Sequence, residues 1–239
     1  MKPLVITYLY PAEMNLYGDR GNIIALQQRC RWRGIDTRLD EVHLGANYDF
    51  SASDIIFGGG GQDKGQELVA KDLTRHGTSI KSAAERGVPM LLVCGLYQLF
   101  GRRFTTTDGL DIPGIGLFEA ETTGGAKRLI GNISVESEYG TLIGFENHSG
   151  LTKLDSGQKA LGRVIKGAGN DGSSGQEGAV FKNVIGTYLH GPILPKNPSL
   201  ADFLIMAALS HKSGRDLKLE PLDDSLELLA AETASRRPR

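Results

Sequence analysis

Cysteine and tryptophan are scarce: two Cys and one Trp in 239 residues. Two cysteines, Cys30 and Cys94, cannot build a disulfide framework, and neither lies in a C-x-x-C or Cys/His spacing that would suggest zinc. A long apolar run is also missing. The most apolar stretch, residues 88–97, holds a proline and a glycine and falls far short of the roughly 20 residues needed to span a bilayer. No excess of one charge exists either, because 27 Lys plus Arg meet 28 Asp plus Glu for a net charge of -1. That balance removes the electrostatic pull towards nucleic acid or an anionic membrane surface. No secretory cleavage pattern follows Lys2, since Pro11 and Glu13 interrupt the apolar start. A cytoplasmic protein beginning at Met1 is expected, with no nucleic-acid partner and no membrane insertion.

Glycine is the surplus, at 32 residues, about twice its usual share. Hydrophobic residues make up 40% and charged residues 23%, as in ordinary globular domains. The length suits one large domain, and no polar linker divides it, so residues 1–239 are read as one domain.

The first hundred residues alternate strands and helices. Leu4 to Tyr10 reads as a strand buried on both faces, ended by Pro11. Asn22 to Arg33 has apolar residues at helical spacing, with Asp19 as a cap and Gly34 as a stop. Strands follow at Ile35–Val42 and Asp54–Phe57. A helix through Leu68, Leu73, Ile80 and Ala84 comes next, then a buried strand Pro89–Val93. This order predicts an α/β fold of flavodoxin or Rossmann type, with a central, mostly parallel sheet flanked by helices. The second half reads as antiparallel, with strands at Ile130–Val135, Thr141–Glu146, Ala179–Phe181 and Val184–Tyr188. Lys182-Asn183 is a hairpin turn. Residues 166–178 read as an exposed flexible loop, Pro198–Lys212 and Leu222–Ala234 as helices, and residues 236–239 as a frayed tail.

Cys94 lies where a buried strand passes into a helix, the ligand-binding edge of such a sheet. Helix N-terminal amides stabilise a thiolate there. A free cysteine is also often a small apolar filler, and position alone leaves both readings open. Cys30, inside an amphipathic helix, is structural. A nucleophile needs a proton-transfer partner. His43, His76 and His211 fall in polar stretches and read as solvated. His190 ends an apolar strand before Gly191-Pro192, and His148 also sits at a strand end, so spacing alone leaves two candidate bases. Gly58 to Gly61 lacks the lysine and hydroxyl of a P-loop, but its backbone N–H groups could face an oxyanion at Cys94.

Together these segments resemble the class I (triad) glutamine amidotransferases of the cobyric-acid-synthase-like (CobB/CobQ-like) branch. The carriers are Phe57-Gly58-Gly59-Gly60-Gly61-Gln62-Asp63, Cys94-Gly95-Leu96-Tyr97-Gln98 through Gly101, Gly144-Phe145-Glu146-Asn147-His148-Ser149-Gly150, and Thr187-Tyr188-Leu189-His190-Gly191. Four motifs in order span residues 57–191. The resemblance selects Cys94 and His190 as the catalytic pair and leaves His148 a site-shaping role. It implies oxyanion or substrate contacts from Gly60, Gly61, Gly95, Leu96 and Gln98, glutamine binding by Arg128, and no metal.

Tyr17-Gly18-Asp19-Arg20-Gly21-Asn22 further resembles the stand-alone glutaminase subunits of lipid II isoglutaminyl synthases. That likeness implies a heterodimer with a MurT-type, Mur-ligase-like subunit. The partner would use ATP and Mg²⁺ to activate the α-carboxyl of D-glutamate in the peptidoglycan stem peptide, so this chain itself would need no cofactor. Rival readings are an amidotransferase for a corrin carboxylate, an idle binding subunit, and a cysteine peptidase. Many triad amidotransferases carry a glutamate two residues after the histidine to orient it, but here Pro192 stands there. The orienting carboxylate is expected from elsewhere in this chain or from the partner.

Overall fold

The computed structural model describes residues 2–61 and 63–238. Gln62 of the expected glycine loop and the last tail residue, Arg239, lie outside the described residues. Two sheets make up the chain. The first has strand order β11-β12-β4-β3-β1-β2. Its members are β1 (Leu4–Leu9), β2 (Thr37–Val42), β3 (Ile55–Gly58), β4 (Met90–Val93), β11 (Ala179–Phe181) and β12 (Val184–Thr187). All pairings are parallel except that of the edge hairpin β11 with β12. The runs Leu-Val-Ile-Thr-Tyr-Leu, Ile-Ile-Phe-Gly and Met-Leu-Leu-Val are buried throughout, because helices cover both faces of a parallel sheet.

Those helices are α1 (Arg20–Trp32), α2 (Asp63–Glu85), α3 (Gly95–Phe100), α4 (Pro198–Ser213) and α5 (Ser225–Ser235). The buried stripe of α2 holds Val69, Ala70, Leu73, Ile80, Ala83 and Ala84, whereas Leu68 is off it and exposed. Arg29 of α1 is buried and grips Asp202 of α4 through Nε and Nη2 and Asp224 through Nη1 and Nη2. A buried guanidinium needs such paired acceptors.

The second sheet corrects the sequence reading in extent. Its members are β5 (Arg103–Thr105), β6 (Asp111–Pro113), β7 (Ala120–Ser137), β8 (Gly140–Leu154), β9 (Gly162–Lys166) and β10 (Gln176–Glu177). The expected short strands at 130–135 and 141–146 are the turn-proximal half of the long β7–β8 hairpin, whose register shifts between Gly124 and Leu129. Threonine and glycine hid the strand's first half, since glycine is weak in strands. Nor is the segment 166–178 simply an exposed loop. Ala168, Asn170 and Glu177 are buried, and the Ala168 and Gly169 amides donate to the Glu146 carboxylate.

The tail is not frayed where described. Lys166 Nζ donates to the Arg237 carbonyl and Asn132 Nδ2 to that of Pro238. His76 is not solvated either: it is 8% exposed and stands edge-on to Phe50. The hairpin turn stands as read, with Lys182 at φ 51° and Phe181 opposite Val184.

Candidate active site

The C-terminal edge of the first sheet gathers the chemistry. Strands β1, β3, β4 and β12 all end there, each followed by a segment that bears a site residue. After β4 the chain turns sharply, with Cys94 at φ 50° and ψ −102°. A side-chain-bearing residue is strained in that region, yet the surroundings hold it. Cys94 N donates to Thr187 O on β12 at 2.8 Å, and Gln98 N donates to Cys94 O at 3.0 Å. The thiol therefore stands at the first turn of α3 and is 8% exposed.

His190 arrives from the neighbouring strand. Thr187 is in register with Val93, and three residues later His190 is pinned by reciprocal backbone bonds with Phe145 of β8. Its ring is 1% exposed. Burial alone opposes charge on this imidazole, but the adjacent Cys94 sulfur and the Asp19 carboxylate outweigh it and lift its pKa to about 10. His190 Nδ1 lies 3.6 Å from Asp19 Oδ1.

The glycine loop after β3 closes the third side. A Cβ built on Gly60 would lie 3.1 Å from His190 Cε1 and 3.2 Å from Cys94 Cβ, and one on Gly59 would lie 2.4 Å from Met14 O. Only glycine lets the backbone approach the reacting groups so closely. The donors are distributed differently from the expectation. Gly60 N donates to Asp19 Oδ2 at 2.7 Å, and Leu96 N donates to Gly59 O at 3.3 Å. Both amides thus have acceptors within the chain. Gly61 N stands 3.0 Å from where a Gly95 Cβ would be, so the glycine loop packs on the residue that follows the thiol.

The Gln98 side chain is directed at Tyr188. It is 4% exposed, and its Nε2 donates to Tyr188 Oη at 3.1 Å, in a buried network with Thr152 and Thr122. His148 stacks on the Tyr188 ring at 3.6 Å and 6°, with Nδ1 on Gly150 O at 2.7 Å. Burial pushes its pKa down to about 4, so it is neutral at pH 7 and shapes the wall behind His190. Arg128, expected to hold glutamine, donates through Nε to Asn147 Oδ1 and through Nη2 to Asn147 O, both at 2.9 Å. That places its exposed side chain beside the pairing of Leu129 with His148.

Two buried acids escaped the sequence reading. Asp19 does occupy the N-cap position of α1 but makes no side-chain cap bond; its carboxylate is turned to Gly60 and His190 instead. A signal existed, namely an acid shortly after the first strand, on the ligand-binding edge. Glu177 accepts from Thr187 Oγ1 and Tyr188 N just behind the histidine strand. Nothing in a glycine-rich stretch announced it. Among the described residues, no group of His, Cys, Asp or Glu could hold a metal ion, and no helix is long and apolar enough to cross a membrane.

Comparisons with known proteins identify the family. The CobB/CobQ-like glutamine amidotransferase domain family matches residues 5–198. The chain is 41% identical to the lipid II isoglutaminyl synthase (glutamine-hydrolyzing) subunit GatD of Staphylococcus aureus, covering 96% of this chain and 94% of that protein. It is 39% identical to the subunit of the same name in Streptococcus pneumoniae, covering 97% and 90%. A probable cobyric acid synthase of Methanoculleus marisnigri is 30% identical, over 82% of this chain but 40% of that one. Among solved structures, PurLQS from Thermotoga maritima superposes with a TM-score of 0.61 at 17% identity, covering 89% of this chain and 100% of that chain. A glutamine amidotransferase from Thermotoga maritima has a TM-score of 0.55 at 14% identity, covering 98% and 92%. These two share the fold.

Proposed function

We infer a glutamine-hydrolysing enzyme, because this chain belongs to the CobB/CobQ-like glutamine amidotransferase family. The observation that carries the chemistry is the strained Cys94 elbow enclosed by His190 and Gly60. His190 takes the thiol proton, and the Cys94 thiolate attacks the side-chain amide carbon of glutamine. The amides of Gly95 and Gly61 receive the tetrahedral oxyanion, in place of the Leu96 and Gly60 donors already committed elsewhere. His190 then protonates the departing ammonia, and water hydrolyses the γ-glutamyl thioester to glutamate. Arg128 is assigned to the carboxylate of the bound glutamine.

The acceptor follows from the full-length relatives rather than from the fold. The match over 94% and 90% of the two lipid II isoglutaminyl synthase subunits supports the same role here, as one domain over residues 1–239. In that role the chain pairs with a MurT-type, Mur-ligase-like subunit. The partner's ATP and Mg²⁺ activate the α-carboxyl of D-glutamate in the stem peptide, and ammonia made at Cys94 converts it to the amide. A corrin amidotransferase is the weaker reading, since the chain spans only 40% of the cobyric acid synthase it resembles.

The test is glutamate release from glutamine by wild type and Cys94→Ser, each with and without the ligase subunit. Release that requires Cys94, with lipid II amidation when the partner, ATP and Mg²⁺ are present, is the expected result. Amidation that persists in Cys94→Ser with glutamine as the sole nitrogen source would overturn it.

A further inference from the structure

We propose that Asp19 is the positioning carboxylate of this active site, holding His190 with one oxygen and the glycine loop with the other. The inference rests on the glutaminase reading and deepens it. Pro192 occupies the place two residues after the histidine where an orienting glutamate is usual, and the structure shows what that proline does. A Cβ on Gly21 would be 2.4 Å from Pro192 Cγ, so the first turn of α1 is packed directly on the histidine loop. Two residues earlier in the chain, Asp19 is brought to 3.6 Å from the imidazole Nδ1.

Asp19 is fully buried, and His190 nearly so. A buried carboxylate costs several kcal/mol unless it is paired. Among the described residues the one basic side chain within 4.0 Å of Asp19 is His190. The second oxygen, Oδ2, accepts from Gly60 N at 2.7 Å. Glycines wall the carboxylate in, since a Cβ on Gly59 would lie 2.8 Å from Oδ2 and one on Gly60 3.5 Å from it. The acid is thus fixed by the same loop whose next amide is assigned to the oxyanion.

The orientation is productive. Asp19 faces Nδ1, which leaves Nε2 for the Cys94 proton and later for ammonia; this is the tautomer that an orienting acid selects. The 3.6 Å separation is longer than a hydrogen bond, as catalytic contacts often are before substrate binds. Cys94, after β4, and His148, on β8, also act on His190. Neither is an anionic oxygen able to hold Nδ1–H.

The test uses the chain with its ligase subunit and the variants Asp19→Asn, Asp19→Ala and Asp19→Glu. Asparagine keeps the shape and the Gly60 bond but removes the charge. Expected are a kcat reduced towards the roughly 10⁴-fold that loss of a triad acid costs, a KM within about threefold, an unchanged melting temperature, and partial rescue by glutamate. A second readout is alkylation of Cys94 by iodoacetamide against pH, which needs no glutamine. Its rise should move to higher pH in Asp19→Asn, because an imidazolium deprived of its acid supports the thiolate less well. Asp19→Asn activity within threefold of wild type, with an unshifted alkylation profile, would overturn the proposal. A wild type that never hydrolyses glutamine would sink the glutaminase reading instead, while alkylation would still decide the Asp19–His190 link. Should the variants fail to fold, ¹⁵N spectra of His190 in the wild type decide: a proton on Nδ1 supports the link, and a neutral Nε2–H ring overturns it.

Discussion

Gly60 lies against His190 so closely that a methyl group on it would stand 3.1 Å from the imidazole Cε1. The same methyl would press on Cys94 Cβ at 3.2 Å. Glycine here is a condition of the thiol, the ring and the loop meeting at one point. Gly60→Ala is therefore expected to lower kcat at least tenfold while the melting temperature changes by only a few degrees, because the ring can yield by tenths of an ångström. At Gly59 the obstacle is the Met14 carbonyl at 2.4 Å, part of the backbone, so Gly59→Ala should lose stability as well as activity. Thermal melts beside glutaminase assays separate the two.

Cys94 sits at a backbone conformation that costs a non-glycine residue on the order of 1–3 kcal/mol. Replacing it by glycine removes the nucleophile and the strain together, against an added unfolded-state entropy of about 0.5–1 kcal/mol. Cys94→Gly should abolish glutamate release yet melt no lower than wild type. Denaturant titration of both proteins checks this. A variant several kcal/mol less stable would show that the thiol is a packing element first.

Glu177 is fully buried between two strands. Burial raises its pKa to about 7, against the hydrogen bonds from Tyr188 and Thr187, with the Glu146 charge pushing the same way. The folded state thus keeps a proton that the unfolded chain, titrating near 4.3, has released. Stability is lost as pH rises between these values, and above pH 7 the full penalty, on the order of 3 kcal/mol, is present. Glu177→Gln should come nearest to wild type below about pH 4 and exceed it at pH 8. Urea melts at the two pH values, taken as a difference between the proteins, cancel the titration of His190. Equal stability at pH 8 would contradict the buried charge.

Arg128 donates through Nε and Nη2 to Asn147, which ties its guanidinium to β8. A charge-assisted bond to the glutamine carboxylate contributes about 1.5–3 kcal/mol, so Arg128→Ala should raise KM roughly 10- to 150-fold and change kcat less. Steady-state kinetics over a wide glutamine range measure both. An unchanged KM would remove Arg128 from the site.

The local order of this molecule was legible in its sequence because it depends on near neighbours. Buried β-branched runs specified the parallel strands, helical spacing specified α1, α2 and α4, and the Val93-Cys94-Gly95 passage from strand to helix located the nucleophile. His190 was reachable by the same means, as the end of an apolar strand. What failed was whatever depends on residues far apart in the chain. Glycine and threonine masked the long β7–β8 hairpin, whose pairing stabilises each strand only when the other is present. The loop 166–178 looked free because its anchor, Glu146, lies 22 residues before Ala168. Asp19 looked like a helix cap, as short acids before helices usually are. Its turn towards His190 follows from Gly21 packing on Pro192, 171 positions further along. Residue type and spacing determined which groups could react; the pairing of a buried acid with a distant histidine was decided by tertiary packing, because only there do desolvation and charge meet.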